Sequence, residues 1–234
     1  GIGPGGLRSD MEALGNLDRD RNAMFVEAID HILALWTAEA PYRLKGRFWD
    51  VSTEKTLIRE AGQGVMIKPY QQPHPPIVVT VVVPHSKGLV AAAQRGWKPI
   101  SANFLQPKWA ATHWPMYQQG CGLGGHAALS SDWRVCKSIF VADDEATARR
   151  YAGSADGAYG FYFWNLLTKR RSSTGNVDLF KHDRDLPDAA VTVDYMVEHL
   201  VIAGTPASVA EQILAFRETV GDFGTLLYCG HDWA

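Results

Sequence analysis

The sequence predicts an α/β protein built from βα units around a parallel sheet, arranged as an α/β barrel or a doubly wound sheet. Three observations predict it. Residues 77–83 (IVVTVVV) form an unbroken, mostly β-branched run between prolines, the pattern of a strand buried on both faces as parallel sheets require. Strand-like and helix-like segments then alternate along the chain. The 234 residues, 46% of them hydrophobic, are enough to bury a full core.

The elements follow in order. Residues 1–6 (GIGPGG) are a glycine-rich turn, and the residues after Gly6 do not start a clean helix. Leu17-Asp18-Arg19-Asp20 leads into an amphipathic helix whose apolar positions Met24, Phe25, Ala28, Ile32, Leu35 and Trp36 recur at helical spacing, and Pro41 closes it. Residues 42–76, with Gly46, Gly62, Gly64 and four prolines, read as a long excursion holding one short hairpin, and a loop of that length is often functional. After the strand at 77–83 comes a helix at 86–95, ended by Gly96. A strand at 98–102 precedes a helix at 107–119, and a strand at 133–141 precedes a helix at 143–152.

From 153 to 203 the rhythm breaks. An aromatic cluster (Tyr159, Phe161, Tyr162, Phe163, Trp164) is followed by a basic run (Lys169, Arg170, Arg171), a polar loop, and an apolar segment over 195–202. Thr205-Pro206-Ala207-Ser208 restores it as a helix start with proline at the first helical position, followed by a helix to Val220 and a strand at 225–229. No internal repeat or low-complexity tract is present.

A formal charge of −2 with both signs interspersed excludes the one-signed field that draws nucleic acid or an anionic membrane. Cys121, Cys136 and Cys229 are widely spaced and odd in number, with no CxxC pair, so neither a disulfide framework nor a zinc site is expected and a reducing cytoplasm fits. No apolar run reaches the roughly 18 residues of a membrane span, and no basic-then-apolar leader is visible. The chain starts at Gly1 rather than Met and stops a few residues after a strand-like run, so truncation at both ends is expected.

Few constellations carry chemistry. Gly1-x-Gly3-x-x-Gly6 matches a dinucleotide fingerprint in form only, since that motif requires a preceding strand and a helix opening on its last glycine. Pro84-His85-Ser86-Lys87 joins a predicted strand to a helix. There a serine hydroxyl and free backbone N–H groups can hold a phosphate, although the same residues also suit an ordinary helix cap. The eight histidines form no HExxH and no i, i+4 pair, no GxSxG elbow is present, and the cysteines have no nucleophile signature. The aromatic cluster suits either an apolar pocket wall or a core or subunit contact, and the basic run suits a solvated face.

Taken together, the residues resemble the luciferase-like family of flavin-dependent monooxygenases. Gly1 to Gly6 with Asp10 and Gly15 is similar to the turn after that family's fourth barrel strand, and residues 19–36 to the helix that follows. Residues 42–48 and 71–77 resemble its insertion. Val83-Pro84-His85-Ser86 resembles its phosphate-binding turn, with Ala93-Gln94-Arg95-Gly96 as the end of the next helix. Gly204-Thr205-Pro206 through Gly221-Asp222-Phe223-Gly224 resembles its last helix and strand, with His231-Asp232-Trp233 just beyond.

The resemblance implies a partial (β/α)₈ barrel of the luciferase-like type with insertions, forming a single domain over residues 1–234. At roughly 30 residues per βα unit, about five strands are present and about three units, roughly 90 residues, are expected upstream. It implies a monooxygenase that uses FMN, reduced by a separate flavin reductase, and O₂ to oxygenate an apolar substrate of terpene, aldehyde or alkane type. A homodimer is also implied. A dehydrogenase dependent on the deazaflavin F420, or a non-catalytic flavin-binding fragment, stays open on the same fold.

The cofactor contacts implied are Gly3, Pro4, Gly5, Gly6, Asp10, Pro84, His85, Ser86, Ser101 and Asn103, with Phe161, Tyr162 and Trp164 toward the substrate. The excursions at 42–76 and 159–188 are expected as lid and pocket walls. No catalytic acid or base and no metal is assigned. Two positions depart from the family: Pro4 stands where relatives carry an arginine, and His85 where an acidic residue is frequent. His85 is expected to offset the lost positive charge, and a normal flavin affinity in His85→Ala would count against that.

Overall fold

A computed structural model of the chain describes residues 1–231, in two compact units, 1–77 and 78 onward. The Asp232 and Trp233 of the last predicted motif lie outside the described residues.

The first unit is built on one long helix. α1 (Arg8–Ala13) is followed by α2 (Arg21–Thr37), which Asp20 caps by accepting from the N–H groups of Asn22 and Ala23 at 3.1 and 3.0 Å. The predicted hairpin is a two-residue antiparallel pair, β1 (Arg43–Leu44) with β2 (Val51–Ser52). It is tied to α2 through Glu27, whose carboxylate accepts from the backbone N–H groups of Arg47, Phe48 and Trp49 at 2.8, 2.8 and 2.9 Å. Gly46 permits this approach, because a Cβ there would sit 2.1 Å from the Glu27 carboxylate oxygen. α1 corrects the expectation of no helix after Gly6. It buries none of its residues and leaves Leu7 and Leu14 exposed at its ends, so it has no apolar period to be read.

The second unit is an all-parallel sheet with its helices. In chain order it comprises β3 (Val78–Val81), α3 (Lys87–Gln94), β4 (Lys98–Ser101), α4 (Pro107–Ala110), α5 (His113–Gly124), β5 (Arg134–Val141), α6 (Glu145–Ala152) and α7 (Gly160–Ser173). α8 (Val193–Leu200), β6 (Val201–Gly204), α9 (Pro206–Val220) and β7 (Thr225–Tyr228) complete it. β3 pairs with β4 and β4 with β5. β5 is long enough to take two further partners: β7 along Arg134 to Lys137 and β6 along Ser138 to Val141. The described strands form an open sheet rather than a closed barrel.

The core gathers Trp133, Tyr159, Phe163, Met196, Leu200 and Phe216 between this sheet and its helices. α3 and α5 pack at backbone distance, since a Cβ at Gly120 or Gly124 would lie 2.4 or 2.2 Å from the carbonyls of Val90 or Gln94. No described helix is long and apolar enough to cross a membrane.

Four expectations change in this unit. β3 is not buried on both faces: among the described residues it pairs only with β4, and Val82 and Val83 beyond it are exposed. The helix at 107–119 is two helices, because Pro115 has no N–H for a continuous ladder and Thr112 spends its hydroxyl on the Trp109 carbonyl at 2.7 Å. The aromatic cluster and basic run form one helix, α7. Its core contacts, Phe163 and Leu167, are one turn apart but hidden among aromatics on every side, and Arg170 and Arg171 fall in its last turn, where cations suit the dipole. The apolar segment at 195–202 is the end of α8 running straight into β6.

Candidate functional site

The first cluster lies at the C-terminal end of β3. Val83 leads through Pro84 and His85 to Ser86, which caps α3 by accepting from the Leu89 N–H at 3.2 Å. The turn is held from the α4–α5 junction by two adjacent residues. Thr112 Oγ1 accepts from the His85 N–H at 3.0 Å, and the His113 ring lies 3.0 Å by Nε2 from the Val83 carbonyl. Between these anchors His85 takes φ +50°, the one positive value at a non-glycine among the described residues.

Elementary bookkeeping fixes every proton in this network. A carbonyl only accepts, so His113 Nε2 carries the hydrogen and Nδ1 must accept. The Ser101 hydroxyl, 2.8 Å away, therefore donates to Nδ1, and Ser101 Oγ in turn accepts from Trp133 Nε1–H at 2.9 Å. Ser101, His113 and Trp133 are all fully buried. Burial pushes the imidazole down to about 4, so His113 is neutral at physiological pH. The ring is expected to remain the Nε2–H tautomer down to about that value. Ring ¹⁵N shifts followed through an acid titration test this, and protonation near the ordinary histidine range would contradict it.

The second cluster gathers just beyond the ends of β4 and β7, against the middle of β5. Tyr162 of α7 donates its hydroxyl to Asn103 Oδ1 at 2.7 Å, and Asn103 Nδ2 donates to Ser138 Oγ at 3.0 Å. Ser138 Oγ lies 3.0 Å from His231 Nε2, and the His231 ring stacks on Tyr162 with centroids 4.3 Å apart. Burial raises the Tyr162 phenol to about 12 and lowers the His231 imidazole, so both are neutral. This chain of hydrogen bonds, whose two ends meet in the stack of His231 on Tyr162, sets the amide orientation of Asn103. Beside it opens a cavity of about 380 Å³ lined by Phe161, Tyr162, Leu166 and His231.

The sequence-predicted residues are therefore distributed as follows. In the first unit Gly3, Pro4, Gly5, Gly6 and Asp10 line one largely apolar cleft of about 410 Å³, where Arg21 donates to the Gly5 carbonyl at 3.3 Å. Pro84, His85 and Ser86 form the pinned turn, with Ser101 behind it. Asn103 and Tyr162 are bonded to each other. Phe161 lines the cavity, whereas Trp164, half exposed, packs on Phe161 at 5.8 Å without lining it.

Sequence reasoning missed His113, Ser138 and the inward role of His231. A lone histidine leaves no signal, but a serine inside a mostly apolar strand run such as that of β5 does. Among the described residues no group of three or more His, Cys, Asp or Glu is placed to hold a metal.

The Luciferase-like monooxygenase family model matches residues 1–222. The 3,6-diketocamphane 1,6-monooxygenase of Pseudomonas putida is 26% identical over 223 residues, which are 94% of this chain and 58% of that protein. The limonene 1,2-monooxygenase of Rhodococcus erythropolis is 26% identical across 100% of this chain and 55% of its own length. Among solved structures, the oxygenating constituent of 3,6-diketocamphane monooxygenase from Pseudomonas putida, in complex with FMN, superposes with a TM-score of 0.82. It is 26% identical, with 99% of this chain and 64% of that one covered. The chain thus spans roughly three fifths of the length of the relatives it matches.

Proposed function

The chain belongs to the luciferase-like monooxygenase family, and from that premise we propose that it is a flavin-dependent monooxygenase that uses reduced FMN and O₂ to oxygenate an apolar organic substrate. Its sheet is part of a (β/α)₈ barrel of the luciferase-like type. In such barrels, chemistry collects at the C-terminal ends of the strands, and both polar clusters of the second unit lie there. We take residues 1–234 as one domain of that kind.

One observation carries the reading: the Val83 to Ser86 turn is anchored on both sides of Pro84, with a serine hydroxyl at the start of a helix. The fit to a phosphate is direct. Lys87 and Gly88 are exposed in the first turn of α3, and a Cβ added at Gly88 would meet only Ser86 Oγ, at 3.6 Å, so the space over the helix start is open. Backbone N–H groups there and the helix dipole favour an anion. Ser86 and the first turn of α3 would hold the phosphate, His85 would add charge when protonated, and Asn103 would stand at the β4 end, with Ser101 buried behind the turn and committed to His113 and Trp133.

Reduced flavin, when bound, would supply the two electrons that activate O₂, from which one oxygen atom would pass to the substrate. This chain's own residues position and dry the site. His113 and Thr112 set the turn before any ligand arrives. Tyr162, Asn103, Ser138 and His231 present a neutral hydrogen-bonded wall rather than a charged one, which suits an apolar substrate. Phe161 and Tyr162 supply ring surface toward the cavity. The relatives named for limonene and diketocamphane support a terpene-like substrate class. The solved relative's description as an oxygenating constituent agrees with a separate reductase that supplies reduced flavin. A cytoplasmic homodimer completes the proposal. Nothing in the site geometry favours the F420-dependent dehydrogenase reading.

The test is fluorescence titration with FMN and, in parallel, riboflavin, which shares the ring and lacks the phosphate. Ser86→Ala is expected to weaken FMN about ten-fold, the scale of one hydrogen bond to a charged group, and to leave riboflavin unchanged. Equal loss of both ligands would remove Ser86 from the phosphate site.

A further inference from the structure

Two of the three cysteines, 93 residues apart in the chain, meet on one face of the sheet. β5 and β7 pair in parallel with Cys136 opposite Leu227 and Lys137 opposite Tyr228, and the Cys229 N–H continues the ladder to the Lys137 carbonyl at 2.9 Å. By strand alternation, Cys136 and Ser138 share a face of β5, and the residues at 227, 229 and 231 follow the same alternation from the end of β7. Side chains across this pair can also meet along a diagonal, a β5 residue reaching the one two beyond its ladder partner. That diagonal brings Ser138 Oγ to 3.0 Å from His231 Nε2. One step earlier the same diagonal sets the Cys136 thiol beside Cys229. Both cysteines are free and half-buried, whereas Cys121 is fully buried on α5.

We propose that Cys136 and Cys229 form a peroxide-reactive dithiol site, with Cys229 as the attacking sulfur and Cys136 as the resolving one. The Cys229 thiolate attacks one oxygen of hydrogen peroxide, the O–O bond breaks, and hydroxide leaves as Cys229 becomes a sulfenic acid. The Cys136 sulfur then attacks the Cys229 sulfur, the S–O bond breaks, and water leaves with the Cys136 proton. Overall, two thiols and one peroxide give one disulfide and two waters. The neighbouring Cys136 thiol holds Cys229 below the usual thiol range while Cys136 itself is held above it, so Cys229 is the better nucleophile of the two. The bridge would lie one step from the Ser138 to His231 contact and needs no flavin, so it stands or falls separately from the proposed activity.

Hydrogen peroxide added to the purified chain, followed by intact mass and peptide mapping, tests the proposal. The wild type is expected to lose two hydrogens, to yield one Cys136–Cys229 peptide, and to recover both thiols on reduction. Cys136→Ser is expected instead to gain one oxygen at Cys229, captured by a sulfenic-acid reagent, while Cys229→Ser leaves Cys136 a thiol. Cys121 should stay unmodified throughout as an internal reference. Progressive addition of oxygens to wild-type Cys229 with no bridge would overturn the pairing. Survival of both wild-type thiols under peroxide that consumes free cysteine would overturn the reactivity, and neither result depends on whether a variant folds.

Discussion

Replacing Trp133 with Ala is expected to destabilise the second unit by about 3–5 kcal/mol, the range for removing a buried tryptophan from a close-packed core. The indole is fully buried, stacked on Trp114 with centroids 5.8 Å apart and met edge-on by Phe223 at 6.3 Å. Its N–H also completes the Ser101 to His113 network. Trp133→Phe keeps one six-membered ring in the stack but loses the donor and part of the indole volume, so its loss should fall between those of wild type and Trp133→Ala, at about 1 kcal/mol or more. Urea unfolding of the three proteins measures both steps. A loss in Trp133→Ala no larger than in Trp133→Phe would mean that the stack contributes little.

Lys137 is expected to make the protein more stable as pH rises. It is buried on β5 with no carboxylate paired to it among the described residues. Its ammonium lies 3.4 and 3.3 Å from the carbonyls of Leu105 and Leu200 and 4.9 Å from the centre of the Phe216 ring. Burial lowers it from 10.5 to about 8. Below about 8 both folded and unfolded chains carry the proton, and the folded state bears the whole cost of a buried charge, about 3 kcal/mol for a shift of that size. Between about 8 and 10.5 the unfolded chain holds more protons than the folded one, so stability climbs with pH.

Lys137→Met should abolish that climb and leave the protein about 1–3 kcal/mol more stable at pH 7, since a matched apolar side chain often outperforms a buried charge. Urea midpoints at pH 7 and pH 10 for both proteins decide it. A wild type whose stability is flat over that interval would place the ammonium in water rather than in the core.

These two residues show what the sequence conveys and what it withholds. The parallel sheet was legible because β-branched runs such as 77–83 and capped helix starts such as Thr205-Pro206 are local signals, and both proved to be a strand and a helix start. α7 was not legible, because a helix apolar on several sides has no period to detect. At the site, Ser86 was recognisable as a cap from its neighbours alone. Lys137 and His113 looked like ordinary polar residues, since burial is a property of the whole fold. Spacing says nothing for the cysteines, yet the β5–β7 ladder, which joins residues 91 apart, brings Cys136 and Cys229 to its diagonal, and no local window contains that information.

The anchoring of the β3 turn on Thr112 and His113 also bears on how this chain can be recombined with others. A crossover placed anywhere between Val83 and His113 would divide a single cooperative block, importing a turn without the two residues that shape it. Fragments exchanged with relatives should therefore keep residues 83–113 together, with the downstream junction placed beyond the end of α5 rather than inside it.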